Sequence, residues 1–523
     1  MTSPSSQDPV SSVPHTPDTT DVLDVLTKQG TIRGWRGNVA DHWTAIPYAN
    51  DLNSSHELFL PPSAPHPLPG GFLLTDRNRK GTRHTLSVAT PHGASSTDAT
   101  LPIVVFIHGG RYEMGEADSM WYRGENFARD NCVYVAINYR LRFEGFLPLV
   151  DEDPEPTSGD KGAPDPDEPQ GETTFRAVED IFYALRWVQD NIAQFGGDPT
   201  NVTLMGQSAG AALTHWVLSD PRSEGLVHRG VCLSMGLPRT GWPSRIKAAR
   251  KALGGPLTLD QVSGLSRKQL KSAYEDFAAE YPTDCAVGPY PWDPARVRDI
   301  PMIIGSMRDE FVRTPVATKW DKAGASDKRS QRIAARAFTL LAAQTMGLGA
   351  GAASKPKRSN LPQAMRAYRQ YIRSEKPFRP LGHIVGDSTI RRFVAAALEA
   401  RKPGAMTWAY EFHSSSGEVA PGTHHKESDA QHCGDLPLVF DDLSSVADRV
   451  KEFCGQGAEE RLQPLATRFH QIIVNFAHGK NPDWPQYDPN GERLTKLFDM
   501  NDCSESVASD PLRQVRRFFP FAD

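Results

Sequence analysis

Gly206-Gln207-Ser208-Ala209-Gly210 is the stretch on which the reading of this chain turns. The run before it, Val202-Thr203-Leu204-Met205, is short, apolar and partly β-branched, as a buried parallel strand should be. After it, Ala209, Ala211, Ala212, Leu213 and Trp216 predict a helix that stops at Asp220-Pro221. A serine between the two lies on a sharp turn that lifts its hydroxyl clear of the backbone. Small neighbours, Gly206 and Gly210, let strand and helix approach closely enough for that. A Gly-x-Ser-x-Gly run also arises by chance, and it is the flanking strand and helix that give this one meaning.

Outward from the elbow, short apolar runs alternate with helical stretches, the pattern of a mostly parallel sheet flanked by helices. The strands expected are Ile103 to Ile107, Val133 to Ile137, Val202 to Met205, Pro301 to Ile304 and Thr407 to Phe412. Phe175, Val178, Phe182, Leu185, Val188 and Ile192 recur at spacings of three and four, which predicts an amphipathic helix over 173–194. Asp198-Pro199 reads as the turn from that helix into the elbow strand. Asp151 to Gln170, acidic and Pro/Gly-rich, and Gly347 to Asn360, Gly/Ala-rich and then basic, read as surface loops. No internal repeat is visible.

Composition narrows the partners. The chain has 523 residues and a formal net charge of −5, mildly acidic and without the basic footprint of a nucleic-acid binder. No apolar run approaches the roughly 18 residues of a membrane span. Residues 1–20, rich in Ser, Pro, Thr and Asp, read as a disordered tail and not as a secretory signal, leaving 21–523 as the folded part. Six cysteines (132, 232, 285, 433, 454 and 503) are scattered without metal-ligand spacing. With no signal, they suggest free thiols in a reducing cytoplasm.

A nucleophilic serine needs a base, and the base needs an acid to orient it. His413, His424, His425 and His432 all follow a late strand, and Asp309-Glu310 follows the strand at Pro301 to Ile304, on the side of a parallel sheet where sites form. A capping histidine or a solvent-facing carboxylate is the plainer reading of any one of them. The third component is Ile103-Val104-Val105-Phe106-Ile107-His108-Gly109-Gly110, a buried strand running into a glycine turn. That turn can offer N–H groups to a developing negative charge beside the N–H of Ala209.

Together these segments resemble the type B carboxylesterase/lipase family, which includes cholinesterases and bacterial p-nitrobenzyl esterases. Ile46-Pro47-Tyr48-Ala49, Phe106 to Gly110, and Asn138-Tyr139-Arg140-Leu141 with Gly145-Phe146-Leu147 are similar to its early signatures. The longest match is Ala184-Leu185-Arg186-Trp187-Val188, Asn191-Ile192, Phe195-Gly196-Gly197-Asp198-Pro199, Val202-Thr203-Leu204 and the elbow. Gly305 with Asp309-Glu310, His432 with Asp435-Leu436-Pro437, Asn475-Phe476-Ala477 and Trp484-Pro485-Gln486-Tyr487 follow in the family's order. The resemblance implies one large α/β-hydrolase domain. It also implies a triad of Ser208, Glu310 and His432, with oxyanion donors at Gly110, Arg111 and Ala209.

The departures from the family pattern are specific. Arg111 stands where glycine or alanine is usual, so a guanidinium lies beside the site, either in an internal salt bridge or facing an acidic substrate group. Gln207 replaces a common glutamate. Phe175-Arg176-Ala177-Val178-Glu179-Asp180-Ile181 keeps only the aspartate of the family's motif. Arg83-His84-Thr85-Leu86 replaces the early cysteine motif of secreted relatives, and Ser272 to Arg298 looks shortened. The expected activity is hydrolysis of neutral short- to medium-chain carboxylic esters, small-molecule substrates, with no metal or cofactor. Carbamate or amide hydrolysis on the same triad is the nearer alternative, and a non-catalytic, cholinesterase-like interaction protein the more distant one. Oligomeric state is not legible.

Overall fold

The apolar runs become the centre of an eleven-stranded sheet. The computed structural model describes residues 23–96, 100–150, 175–349, 361–374, 378–414, 430–455 and 457–521. The expected tail, the loop at 151–170 and all but the first three residues of the loop at 347–360 lie outside them. Among the described residues no helix is long and apolar enough to cross a membrane.

In chain order the strands are β1 (Asp24–Thr27), β2 (Gly30–Arg33), β3 (Trp35–Arg36), β4 (Asp41–Pro47), β5 (Phe72–Leu74), β6 (Thr85–Thr90), β7 (Leu101–Ile107), β8 (Val133–Ile137), β9 (Gly197–Gln207), β10 (Arg229–Leu233), β11 (Met302–Met307), β12 (Thr407–His413), β13 (Leu494–Asp499) and β14 (Glu505–Ser509). The large sheet runs β14-β13-β12-β11-β10-β9-β7-β8-β6-β4-β3, and β1, β2 and β5 form a small one. From β8 to β13 every pairing is parallel, and the remaining strands of the large sheet pair antiparallel.

Side-chain alternation on these strands builds two cores, one on each face. Along β7, Ile103, Val105 and Ile107 enter one core and Val104 and Phe106 the other. The helix Arg176–Asn191 covers the first with Ile181, Phe182 and Leu185, and Ala458–Ala477 covers the second with Phe469 and Ile473. A third, helical cluster around Leu361, Tyr368 and Leu381 abuts the loop that follows β11 through Phe311.

Two sequence expectations need correction. Asp198-Pro199 is not a turn ahead of the strand but part of β9, which begins at Gly197 and changes register against β7 between Leu101 and Ile103. The helix expected over 173–194 is α-helical only over Arg176–Asn191 and tightens into a 3-10 turn over Ile192–Phe195, ending at Gly196 with φ 82°. A left-handed residue there stops the helix and frees the chain to re-enter the sheet.

Candidate active site

β9 ends at Gln207 and the next helix begins at Ala209, so Ser208 alone makes the turn, with φ 57° and ψ −121°. A non-glycine residue in that region stores on the order of 1–3 kcal/mol of strain and persists only where its surroundings fix it. Here the Ser208 N–H donates to the Leu233 carbonyl at 2.9 Å, and the Gly236 N–H donates to the Ser208 carbonyl at 3.2 Å. The flanking glycines are there for space. A Cβ on Gly206 would stand 2.3 Å from the Gly210 oxygen, and one on Gly210 would stand 2.0 Å from the Ile107 oxygen.

The loops after β11 and β12 bring the other two groups to the hydroxyl. His432 Nε2 lies 2.9 Å from Ser208 Oγ, and its Nδ1 lies 2.5 Å from Glu310 Oε2. Glu310 is fully buried, and its second oxygen accepts the Met307 N–H at 2.9 Å. The Phe311 ring packs on the imidazole with centroids 4.2 Å apart. Burial alone would lower the His432 pKa. Cys433 and the Glu310 carboxylate outweigh burial and hold it well above the ordinary imidazole value.

The remaining candidates fall elsewhere. Asp309 donates its N–H to the Ala430 carbonyl and accepts the Ala430 N–H on Oδ2 at 3.2 Å, so it ties the two loops together. His413 lies 3.8 Å from Asp499, and His424 and His425 are outside the described residues. Two features escaped the sequence reading. Asp435 is buried in the same region, its Oδ2 accepting from Ser234 Oγ at 3.4 Å while Oδ1 has no partner among the described residues, and burial and then Glu310 push its pKa to about 7. Gly236 lies beside the hydroxyl and Ile390 packs against Gly236: a Cβ on Gly236 would lie 3.9 Å from Ser208 Oγ and 2.8 Å from Ile390 Cδ1. Asp435 was legible as part of the His432 motif but carried no role, and Ile390 has no sequence signal because it sits in a single π-helical turn, Asp387–Arg391.

On the other side, Gly110 (φ 109°) and Arg111 (φ 57°) form the turn after β7. Among the described residues no protein acceptor takes the N–H of either, and the N–H of Ala209 opens a helix, where the first donors have no intrahelical partner. The Arg111 side chain turns away from the hydroxyl, donating to the Asp284 carbonyl at 2.6 Å and standing 3.7 Å from Glu113. Gln207 donates to Cys433 Sγ at 3.5 Å, so a neutral amide occupies the position next to the nucleophile. Two cavities of about 340 and 520 Å³, around Trp35 and His42 and around Trp216 and Trp292, involve none of the three triad positions. All six cysteines are unbridged.

A sequence model of the carboxylesterase family matches residues 84–166 and 170–251. The fumonisin B1 esterase of Sphingopyxis macrogoltabida is 27% identical over 512 residues, covering 90% of this chain and 85% of that one. The para-nitrobenzyl esterase of Bacillus subtilis is 26% identical over 547 residues, covering 95% and 98%. A solved PNB esterase structure superposes with a TM-score of 0.71 at 23% identity, over 96% of this chain and 100% of that one, which establishes the α/β-hydrolase fold. With that fold, those relatives and the serine elbow in its place at the end of β9, the chain is similar to the type B carboxylesterases over nearly its whole length.

Proposed function

We propose that this carboxylesterase works through Ser208, His432 and Glu310 on small, neutral, short- to medium-chain esters. The observation that carries the reading is the continuous hydrogen-bond chain from Ser208 Oγ through both imidazole nitrogens to Glu310. Ser208 Oγ attacks the ester carbonyl carbon as its proton passes to His432 Nε2. The carbonyl π electrons move to oxygen, and the N–H groups of Gly110, Arg111 and Ala209 receive that oxyanion. Glu310 fixes the imidazole tautomer and stabilises the imidazolium. When the tetrahedral species collapses, the bond to the alcohol oxygen breaks and His432 returns its proton to that oxygen. Water, deprotonated by His432, then attacks the acyl-enzyme, and the acid leaves as Ser208 regains its proton. The scattered, unbridged thiols fit a reducing cytoplasm, where we place the enzyme.

Ser208→Ala tests the reading. Turnover of p-nitrophenyl butyrate should fall on the order of 10⁵-fold or more with thermal unfolding nearly unchanged. A serine-directed phosphonate should label the wild type at the Ser208 peptide alone. Labelling elsewhere, or an alanine variant of ordinary activity, removes Ser208 from the mechanism.

A further inference from the structure

Four arginines gather on one side of the nucleophile around two carboxylates. Asp284 is the hub. Its carboxylate accepts the Arg239 backbone N–H at 3.1 and 3.3 Å and the Arg245 guanidinium at 2.9 Å, while its carbonyl accepts from Arg111 at 2.6 Å. Glu113, 3.7 Å from Arg111, is the second carboxylate. Arg245 is fully used, since it also donates to the Cys285 and Ala286 carbonyls. Arg239 is not. Its side chain is about nine-tenths buried, its Nε is 3.9 Å from Asp284, and its other two nitrogens reach only the hydroxyls of Ser388, at 3.2 Å, and Thr283, at 3.4 Å. Arg392 donates to the Pro520 carbonyl at 3.2 Å, and among the described residues its buried Nε has no partner.

These cations act on one another. Burial lowers the pKa of Arg239, Asp284 and Cys285 pull it back, and Arg245 and Arg111 push it down again. Burial and then Arg239 bring Arg392 to about 10. Arg239 has only a long ion pair, 3.9 Å to an Asp284 carboxylate that Arg245 already engages, and its hydrogen bonds go to neutral hydroxyls, so it leaves room for a further negative charge. Its position says where that charge would come from. Arg239 lies three residues beyond Gly236, and its partner Ser388 adjoins Thr389 and Ile390; a Cβ at position 236 would touch Ile390 and come within 3.9 Å of Ser208 Oγ. The alcohol of an ester must face His432, which returns the proton to it. The groups bonded to Arg239 (Ser388, Thr283 and Asp284) are separate from those bonded to His432, so the cationic cluster is assigned to the acyl group.

We infer that Arg239, backed by Arg392 and Arg111, receives a free carboxylate on the acyl chain, so that half-esters of dicarboxylic acids are preferred over neutral esters of equal length. The neutral ester remains a substrate; the charge adds a contact to it. This rests on the acyl-transfer reading above. A guanidinium meets a carboxylate with two parallel hydrogen bonds, an arrangement that a hydroxyl pair cannot supply.

The test compares mono-p-nitrophenyl glutarate with p-nitrophenyl valerate, which share a five-carbon acyl chain and a leaving group. Wild-type kcat/KM should favour the glutarate about ten- to hundredfold, mainly through KM, and the preference should shrink in high salt. Arg239→Gln should collapse that ratio and Arg239→Lys should keep part of it. Glutarate should also inhibit the wild type competitively at concentrations where valerate does not, a measurement that needs no variant to fold. A wild type that prefers valerate, or equal losses on both esters in Arg239→Gln, overturns the inference. Failure to hydrolyse either ester would instead overturn the carboxylesterase reading on which it rests.

Discussion

Asp309 and Glu310 are adjacent carboxylates with separate tasks, and geometry alone separates them. Glu310 faces the imidazole from a fully buried position, while Asp309 accepts a backbone N–H from Ala430. Replacing Glu310 by Gln should therefore lower turnover by on the order of 10³-fold or more, whereas Asp309→Asn should cost far less. The pH profile carries the same distinction. Catalysis needs neutral His432, whose pKa is held above the ordinary imidazole value, so kcat/KM should rise with pH through an inflection above about 6.5. The Glu310→Gln variant loses one of the charges that hold the pKa up, and its inflection should move to lower pH. An inflection at or below the ordinary value in the wild type would contradict the coupling seen between the two side chains. The order of serine, acid and histidine narrowed the acid to Asp309 or Glu310 and the base to four histidines, and it was the family resemblance that singled out Glu310 and His432. The orientation of Arg111 was not legible in the sequence, because the carbonyls that fix it belong to Tyr281 and Asp284, 170 and 173 residues away.

At the scale of elements, the elbow is a contact between three pieces of backbone. Gly210 is the first-turn residue through which the helix meets the end of β7, close to both the Ile107 and the His108 carbonyls. Gly210→Ala forces a methyl against main chain that cannot rotate aside, and the turn at Gly109-Gly110 must move with it. We expect a loss of about 1–3 kcal/mol in urea unfolding, from overpacking, together with a fall in kcat larger than any rise in KM. A variant of unchanged stability and activity would show that the close approach is not required. The parallel strands beside the elbow could be read from sequence because both faces are covered and their residues are uniformly apolar. Other strands hid. β4 and β6 carry buried Asp41, His42, Thr85 and Thr90, and Asp41 is held by Arg36, His92 and the Gly93 N–H, which no local pattern reveals. β14 is largely exposed and exists because β13 pairs with it. The aspartate retained from the family motif shows the same dependence on distance. Burial works to raise the pKa of Asp180, but Arg140 and His84 hold it well below the usual carboxylate range. The segment that departs from the secreted relatives' cysteine motif thus supplies His84 to an internal ion-pair network.

Over the whole molecule, a net charge of −5 says little about the field at the serine, because four arginines cluster with Asp284 and Glu113 beside it. Recognition of a choline group needs an aromatic face for the quaternary ammonium and gains from negative charge near the nucleophile. No tryptophan occurs between Pro61 and Thr85, where the family resemblance would put the choline-binding one. Gln207 is neutral where an acid is common, and its amide is engaged with Cys433. Arg111 and Arg239 come from two different loops and meet at Asp284, which puts two guanidiniums in the segment beside the site. The choline lies on the alcohol side and the arginines on the acyl side, so their repulsion acts at longer range and adds to the loss of a cation–π contact of about 0.5–2 kcal/mol. Butyrylcholine should therefore show a kcat/KM at least about tenfold below that of 3,3-dimethylbutyl butyrate, its uncharged analogue of similar shape. The gap should narrow as salt is raised, because screening weakens repulsion and leaves the apolar contacts alone. A ratio that favours the choline ester at low salt would mean that the arginines are neutralised by their own partners, and the field argued here would have to be abandoned.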